Sequence, residues 1–424
     1  MEIGHMRIYT ISGRLHLTVF YVAVFFSFFA WNIFYLTISE WLIVGITIFN
    51  LIFRPSCLRD IKRNELIIFF LWFLYVIGAI VTFYYNNTYL TYGQQFLLPM
   101  FHSGILPFAL SFCTFTMIRN YDEVESIIKC CIISILFFFL LIYLGFLFDY
   151  ARPIDDIRVL EGDQITVDLK LGGIEFVTYA TWLGAMTALA FPGLVFFFIK
   201  SAGKRKLPWF FFILLDLLFF SRALTRGGGL GIVVGMLVGM VLIIVFAKEF
   251  TRQILFVILL VAVVSVVGLY TLSDMLPEGG KRAYQSFYEQ GLEVPNILFR
   301  FALFSSAYEY ALSNIIGMGF NTLWVYYLID EVNFYSWSAN GTGLLGIVAI
   351  WSLFIILALR FIHIVRKHQI NKRIYGILGM TTLCTIAVAA FGNDQILHRP
   401  QSVIPFWTIM YVCLKSADIK SHGE

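Results

Sequence analysis

Five arginines stand in four separate polar links between long apolar runs. They are Arg158 in DDIRVLEGD, Arg222 and Arg226 in SRALTRGGG, Arg300 in FRFALF, and Arg399 in NDQILHRP. A guanidinium is a planar fork of donors that matches phosphate oxygens two at a time. Several such forks around one cavity make an anion site suited to phosphate or pyrophosphate. Arginine does not give up its proton, so any hydroxyl activated at such a site must lose its proton to a carboxylate or a histidine. The candidates are His398 and Asp394 beside Arg399, Glu161 and Asp163 beside Arg158, and Asp330 and Glu331 further on. Each of these acids also reads as a surface or arginine-paired group. Glu161-Gly162-Asp163 has a spacing that suits a divalent ion, but the arginines neutralise pyrophosphate without one, so no metal and no cofactor is expected. His5, His16, His363, His368 and His422 are expected at the opposite side and His102 near the start of a span, so none of these is given a role. GGGLG at Gly227–Gly231 lacks the Gly-Lys-Ser/Thr of a phosphate loop and reads as a helix start that permits close packing.

The elements that must hold these residues are set by composition. Of 424 residues, 60% are hydrophobic and 13% charged, with a mean hydropathy of +0.83. Soluble proteins average about 45–50% apolar and about 25% charged. A disordered chain and an ordinary soluble enzyme are excluded, and the apolar runs are too long and unbroken for a β-barrel. The net charge of +4 gives no reason to expect nucleic acid. The six cysteines all fall in or beside apolar runs, so no disulfide framework is expected, and no cleavable signal peptide stands out. The partner is the lipid bilayer.

A helical span needs about 20 mainly apolar residues. Candidate spans cover 17–34, 37–53, 65–84, 101–118, 127–148, 176–199, 207–221, 227–247, 253–273, 342–362, 374–392 and 401–415. The break at 36–40 rests on little more than Ser39 and Glu40, and a single helix over 17–53 would invert all that follows. The expected fold class is an all-α, polytopic transmembrane helix bundle of about 12 spans, one membrane domain over 1–424. Two long links are expected on one side, 149–175 and the larger 274–341, which holds short helices. Within it, 296–313 is apolar on a helical period, lying either along the membrane surface or packed on the bundle. Lysine and arginine concentrate on the cytoplasmic side of membrane proteins. That rule places the clusters at 54–63, 200–206, 248–252 and 360–373, and both termini, inside. The basic residues left outside are Arg152, Arg158, Lys170, Arg222, Arg226, Lys281, Arg282, Arg300 and Arg399. Charge within spans is almost limited to Asp216, and no internal repeat is visible, which disfavours a transporter.

Three stretches resemble the bacterial O-antigen ligase and O-antigen polymerase superfamily. FFSRALTRGGGLGI is similar to its Ser/Thr-Arg-Gly helix start, with Arg226 on the motif arginine. FRFALFSSAYEYALSNIIGMGFN is similar to its arginine-led helix ending in Gly-x-Gly, with Arg300, Gly317 and Gly319. VNFYSWSANGTGLLGIVAIW resembles the segment that closes the large loop, at Gly343-Leu344-Leu345-Gly346. Arg158, followed by Glu161 and Gly162, is similar to the family's first periplasmic arginine. The resemblance implies a glycosyltransferase of the inner membrane acting at its periplasmic face on undecaprenyl-pyrophosphate-linked oligosaccharide, with a chain-length regulator protein as a further partner. Family ligases carry a His-Asn pair where this chain has Val332-Asn333, so the histidine is missing. An O-antigen polymerase is therefore expected, with a ligase acting on lipid A-core as the first alternative and a flippase or transporter of a lipid-linked or anionic solute as the second. In this reading Arg158, Arg226 and Arg300 stabilise the leaving pyrophosphate, with His398 or Glu161 as base. Arg222, Arg399, Asn333, Asp394 and Tyr335 contact substrate. Tyr335, with Trp324, Tyr326, Tyr327 and Trp337, is a candidate for stacking on sugars, although an interfacial aromatic belt explains these residues as well.

Overall fold

The computed structural model describes residues 2–28, 32–33, 36–85, 97–147, 151–153, 166–171, 174–223, 226–272, 295–320, 334–392, 397 and 399–419. Thirteen α-helices lie among the described residues. They are α1 (Glu2–Phe25), α2 (Ile38–Phe53), α3 (Arg63–Tyr85), α4 (Leu106–Met117), α5 (Tyr121–Leu147), α6 (Ala180–Lys200), α7 (Lys206–Ala223), α8 (Arg226–Phe246), α9 (Thr251–Leu272), α10 (Pro295–Ser313), α11 (Phe334–Lys367), α12 (Ile370–Gly392) and α13 (Pro400–Ser416). Each of the twelve apolar runs overlaps a helix, although 17–34 runs on past α1 and 176–199 starts within a strand. By length and apolarity, however, six helices among the described residues are able to cross a membrane: Arg63–Tyr85, Leu97–Met117, Tyr121–Leu141, Gly227–Phe246, Phe334–Lys367 and Ile370–Phe391. Three shorter apolar helices join them: Arg14–Phe25, Ile38–Phe53 and Gly184–Lys200. The molecule is a helical membrane bundle, and in place of the twelve expected spans the described residues hold these six. The physical reason is plain in two cases. Helix α7 packs Lys206, Asp216 and Arg222 into 18 residues, and α13 is only 17 residues long.

The break between the first two helices is real and has a chemical cause. A two-residue pairing of β1 (Asn32–Ile33) with β2 (Leu36–Thr37) turns the chain. Thr37 then caps α2 reciprocally. Its Oγ1 accepts from the Glu40 amide at 3.3 Å, and its own amide donates to Glu40 Oε2 at 2.6 Å. This is the Thr-x-x-Glu capping box, which satisfies two amides that a helix start leaves bare.

The link at 149–175 is not wholly irregular. Strands β3 (Ala151–Pro153), β4 (Thr166–Leu171) and β5 (Ile174–Tyr179) form an antiparallel sheet, with Leu171 opposite Ile174 across Gly172-Gly173. The all-α bundle thus carries one small sheet in a link. The expected span start at 176 moves to Ala180, because IEFVTY is rich in β-branched and aromatic residues and pairs as a strand.

The two ends of the bundle differ in charge. At one end Lys62 meets Asp418 at 2.5 Å, Lys415 meets buried Glu65 at 3.5 Å, and Lys200 and Lys129 both meet Glu125. The Lys200 ammonium also donates to the Tyr375 hydroxyl, and the Tyr121 hydroxyl to the Ser416 carbonyl, so these pairs form one layer. Arg360 and Arg373 close it by donating to backbone carbonyls of Asn64 and Phe246. This is the basic end. The opposite end, the glycine end, carries Gly317, Gly319 and Gly343.

Helices α8 and α12 are paired antiparallel through a small-residue stripe. A Cβ on Gly231 would sit 2.5 Å from the Thr385 carbonyl, and one on Gly235 1.9 Å from Thr385 Oγ1 and 2.9 Å from the Thr381 carbonyl. In lipid, where apolar burial drives helices together only weakly, such close backbone approach is the main source of attraction. Gly235→Leu is expected to lower the melting temperature of the detergent-solubilised protein, at a cost of about 3 kcal/mol from overpacking. An unchanged melt would contradict this packing.

Candidate functional site

Helix α11 is broken. Gly343 has φ 63 and ψ −158, which splits the helix into a buried segment over 334–342 and a longer one to Lys367. A break frees backbone groups that must find partners where no water is at hand. They find them in the loop that follows α10. The Gly319 amide donates to the Asn340 carbonyl at 2.9 Å, and the Leu344 amide to the Ile315 carbonyl at 3.2 Å. The Gly317 amide donates to Thr82 Oγ1 on α3 at 3.2 Å. A Cβ on Gly317 would lie 2.2 Å from the Asn340 carbonyl, and one on Gly343 2.4 Å from the Ile315 carbonyl. The Gly-Met-Gly loop and the Gly-Thr-Gly-Leu-Leu-Gly break, two stretches of the family resemblance, are therefore interlocked.

Helix α10 packs on this unit rather than standing free. Ala307 and Ala311 are buried against Ala339 and Ile347 of α11, and the Trp351 indole donates to the Tyr308 hydroxyl. Burial pushes the Tyr308 phenol up to about 12. Of the two readings of 296–313, packing on the bundle is the observed one. Arg300 lies on α10 one turn before Phe304, whose ring is 5.4 Å from Phe391 near the end of α12. Arg226 is the first residue of α8, which runs antiparallel to α12, so its backbone is at the same end as Phe391. Arg222 is in the last turn of α7. Arg399 is the N-cap of α13 and is exposed. The backbone positions of Arg222, Arg226, Arg300 and Arg399 thus all lie towards the glycine end. The side chains of the first three, and all of Arg158, Glu161, Asn333, Asp394 and His398, lie outside the described residues, as do Trp324, Tyr326, Tyr327, Asp163, Asp330 and Glu331.

Tyr335 is placed otherwise than a sugar-stacking ring. It is 1% exposed, stacks on Trp351 with centroids 5.0 Å apart, lies 4.6 Å from Phe391, and donates its hydroxyl to the Ala387 carbonyl at 2.8 Å. Trp337 is likewise buried, with its ring 4.4 Å from Phe320. Both rings are used in holding the broken helix, which corrects the expectation that they face substrate.

One constellation escaped sequence reasoning. His102 Nε2 lies 2.8 Å from Oε1 of fully buried Glu40, and neither atom has another hydrogen-bond partner among the described residues. His102 sits in a π-helical turn, Phe101–Ile105, just ahead of Pro107. Proline lacks an amide and crowds the preceding turn, and a π turn relieves that conflict, often at functional positions. The next residue, Ser103, starts a buried hydroxyl chain. Ser103 Oγ donates to the Pro99 carbonyl and lies 3.3 Å from the Tyr75 hydroxyl, to which Ser338 Oγ donates at 3.2 Å. Ser338 belongs to the buried segment of α11. The one legible hint was the Thr37-x-x-Glu40 box, which fixes the carboxylate; its pairing with a histidine 62 positions away is a tertiary matter.

Asp216 on α7 is fully buried, and neither carboxylate oxygen has a partner among the described residues. No group of three or more His, Cys, Asp or Glu able to hold a metal occurs among the described residues, and Glu161-Gly162-Asp163 lies outside them. No protein-family model matches this chain, and no curated protein matches it.

Proposed function

We propose that this chain is a glycosyltransferase of the bacterial inner membrane that polymerises undecaprenyl-pyrophosphate-linked repeat units of O-antigen or a related surface polysaccharide. The observation that carries the reading is the interlock of the Gly317-Met318-Gly319 loop with the break at Gly343, at the same end of the bundle as the backbones of Arg222, Arg226, Arg300 and Arg399. The basic end faces the cytoplasm by the positive-inside rule, which turns the glycine end to the periplasm. There the attacking hydroxyl displaces a lipid pyrophosphate from the anomeric carbon. Negative charge grows on the departing group, and preorganised cations stabilise it more in the transition state than in the ground state. Arg158, Arg226 and Arg300 take that role, Arg222 and Arg399 hold the diphosphate and sugar, and the reaction runs without metal.

The test is purified protein in liposomes given synthetic undecaprenyl-pyrophosphate repeat units, with products resolved on a gel. A ladder is the expected result. Product formed only when lipid A-core is added would make the protein a ligase, and movement of lipid-linked units with no new linkage would make it a transporter. EDTA is expected to leave the rate unchanged; loss of turnover that Mg²⁺ or Mn²⁺ restores would overturn metal independence.

A further inference from the structure

We infer that His102, held by Glu40, takes the proton from the attacking sugar hydroxyl. The inference rests on the glycosyl transfer proposed above and supplies the base that the arginines lack. Among the described side chains His102 is the one imidazole at the glycine end. His16 lies beside Phe49 near the end of α2, and His363 and His368 lie together at the end of α11, all towards the basic end.

The geometry is that of an oriented base. Glu40 is fixed twice, by the Thr37 amide on Oε2 and by His102 Nε2 on Oε1. A carboxylate on one ring nitrogen sets the tautomer, holding the proton there and leaving the other nitrogen to accept. The His102 side chain keeps 14% of its surface, whereas Glu40 keeps none. The elements packed around this turn carry Glu40 on α2, Arg63, Glu65, Tyr75, Tyr84 and Tyr85 on α3, Cys113 on α4, and Arg399, Tyr411, Cys413 and Lys415 on α13; of these Glu40 meets His102 and Tyr75 meets the adjacent Ser103. The Ser103–Tyr75–Ser338 chain ties the same turn to the buried segment of α11, so the turn that carries His102 is anchored to the broken helix through its neighbour Ser103. Such networks rigidify the groups they include.

The step balances simply. The hydroxyl oxygen forms a bond to the anomeric carbon, and the bond from that carbon to the diphosphate oxygen breaks, its electron pair leaving with the lipid pyrophosphate. The hydroxyl proton goes to the free nitrogen of His102, and the imidazolium then releases it to water.

The experiment compares wild type, His102→Gln, Glu40→Gln and His102→Ala in the liposome assay across pH. Glutamine keeps a donor for Glu40 but is not a base. His102→Gln is expected to lower the linkage rate by about 10²–10⁴-fold, and to abolish the limb along which the wild-type rate rises with pH. Glu40→Gln is expected to give a smaller loss and to shift that limb. Added imidazole is expected to restore part of the turnover of His102→Ala, which a misfolded protein would not regain. A wild-type enzyme that makes linkages, with His102→Gln matching it in rate and pH profile, overturns the inference and leaves the proposed function standing. The inference is equally overturned if activity lost in His102→Ala is not restored by imidazole and the pH limb persists in His102→Gln. A wild type that makes no linkage sinks the function first and the base with it.

Discussion

Arg300→Ala and Arg226→Ala are each expected to lower the rate of linkage formation by about 10²–10³-fold, equivalent to roughly 3–4 kcal/mol of transition-state stabilisation, the scale for removing one preorganised donor from developing negative charge. The loss should fall on kcat rather than KM, because the interaction strengthens as the pyrophosphate departs. Lysine should not replace either residue, since it keeps the charge but lacks the planar fork. Arg300 sits one turn from Phe304 on a helix buried along Ala307 and Ala311, so the backbone that carries it is firmly held. Arg226 opens α8, whose contact with α12 runs through Gly231 and Gly235 well below it, so its truncation leaves that packing intact. Single-turnover kinetics on the purified variants, with melting temperature as control, measure the effect. Full activity in both variants would remove the anion site from the mechanism.

Gly343→Ala is expected to be severely damaging, because it combines backbone strain with a backbone clash. The residue has φ 63, where a Cβ is strained, and the added atom would lie 2.4 Å from the Ile315 carbonyl and 2.6 Å from the Gly317 amide. Both neighbours are backbone, so neither moves without opening the interlock. The conformational strain alone is on the order of 1–3 kcal/mol, and relief requires loss of the Leu344–Ile315 and Gly319–Asn340 hydrogen bonds. Activity should fall below detection and the melting temperature should drop. Gly45→Ala is the control. It lies inside α2 with nothing within 4 Å of its added Cβ, and alanine there should stabilise by about 0.5–1 kcal/mol. Equal behaviour of the two variants would show that the break is not under the constraint described.

Much of the scaffold was legible because long apolar runs have few solutions in a membrane. The segment 65–84 reads as a helix and is one, and the basic clusters that predicted one side do gather at one end, through Lys62, Lys200, Arg373 and Lys415. The sheet at 151–179 was not read, since IEFVTY continues into an apolar run and periodicity alone does not divide strand from helix there. The number of spans was overstated because α7 and α13 are helical and apolar without being long or uncharged enough to cross alone. Tyr335 and Trp337 were misassigned because a buried broken helix and an interfacial belt have the same aromatic composition. The glycines of 227–231 were read as close-packing residues, and Gly231 does pack on Thr385, but the same role for Gly235, and the contact of Gly343 with Ile315, come only from the fold. The same holds for Glu40 and His102.

The most direct measurement is the release of free undecaprenyl pyrophosphate from purified protein in liposomes supplied with lipid-linked repeat units. Glycosyl transfer with a lipid pyrophosphate leaving group predicts one molecule released for each new linkage, in step with the growing ladder. Lipid-linked units that cross the bilayer, or simply bind, with no release would contradict it.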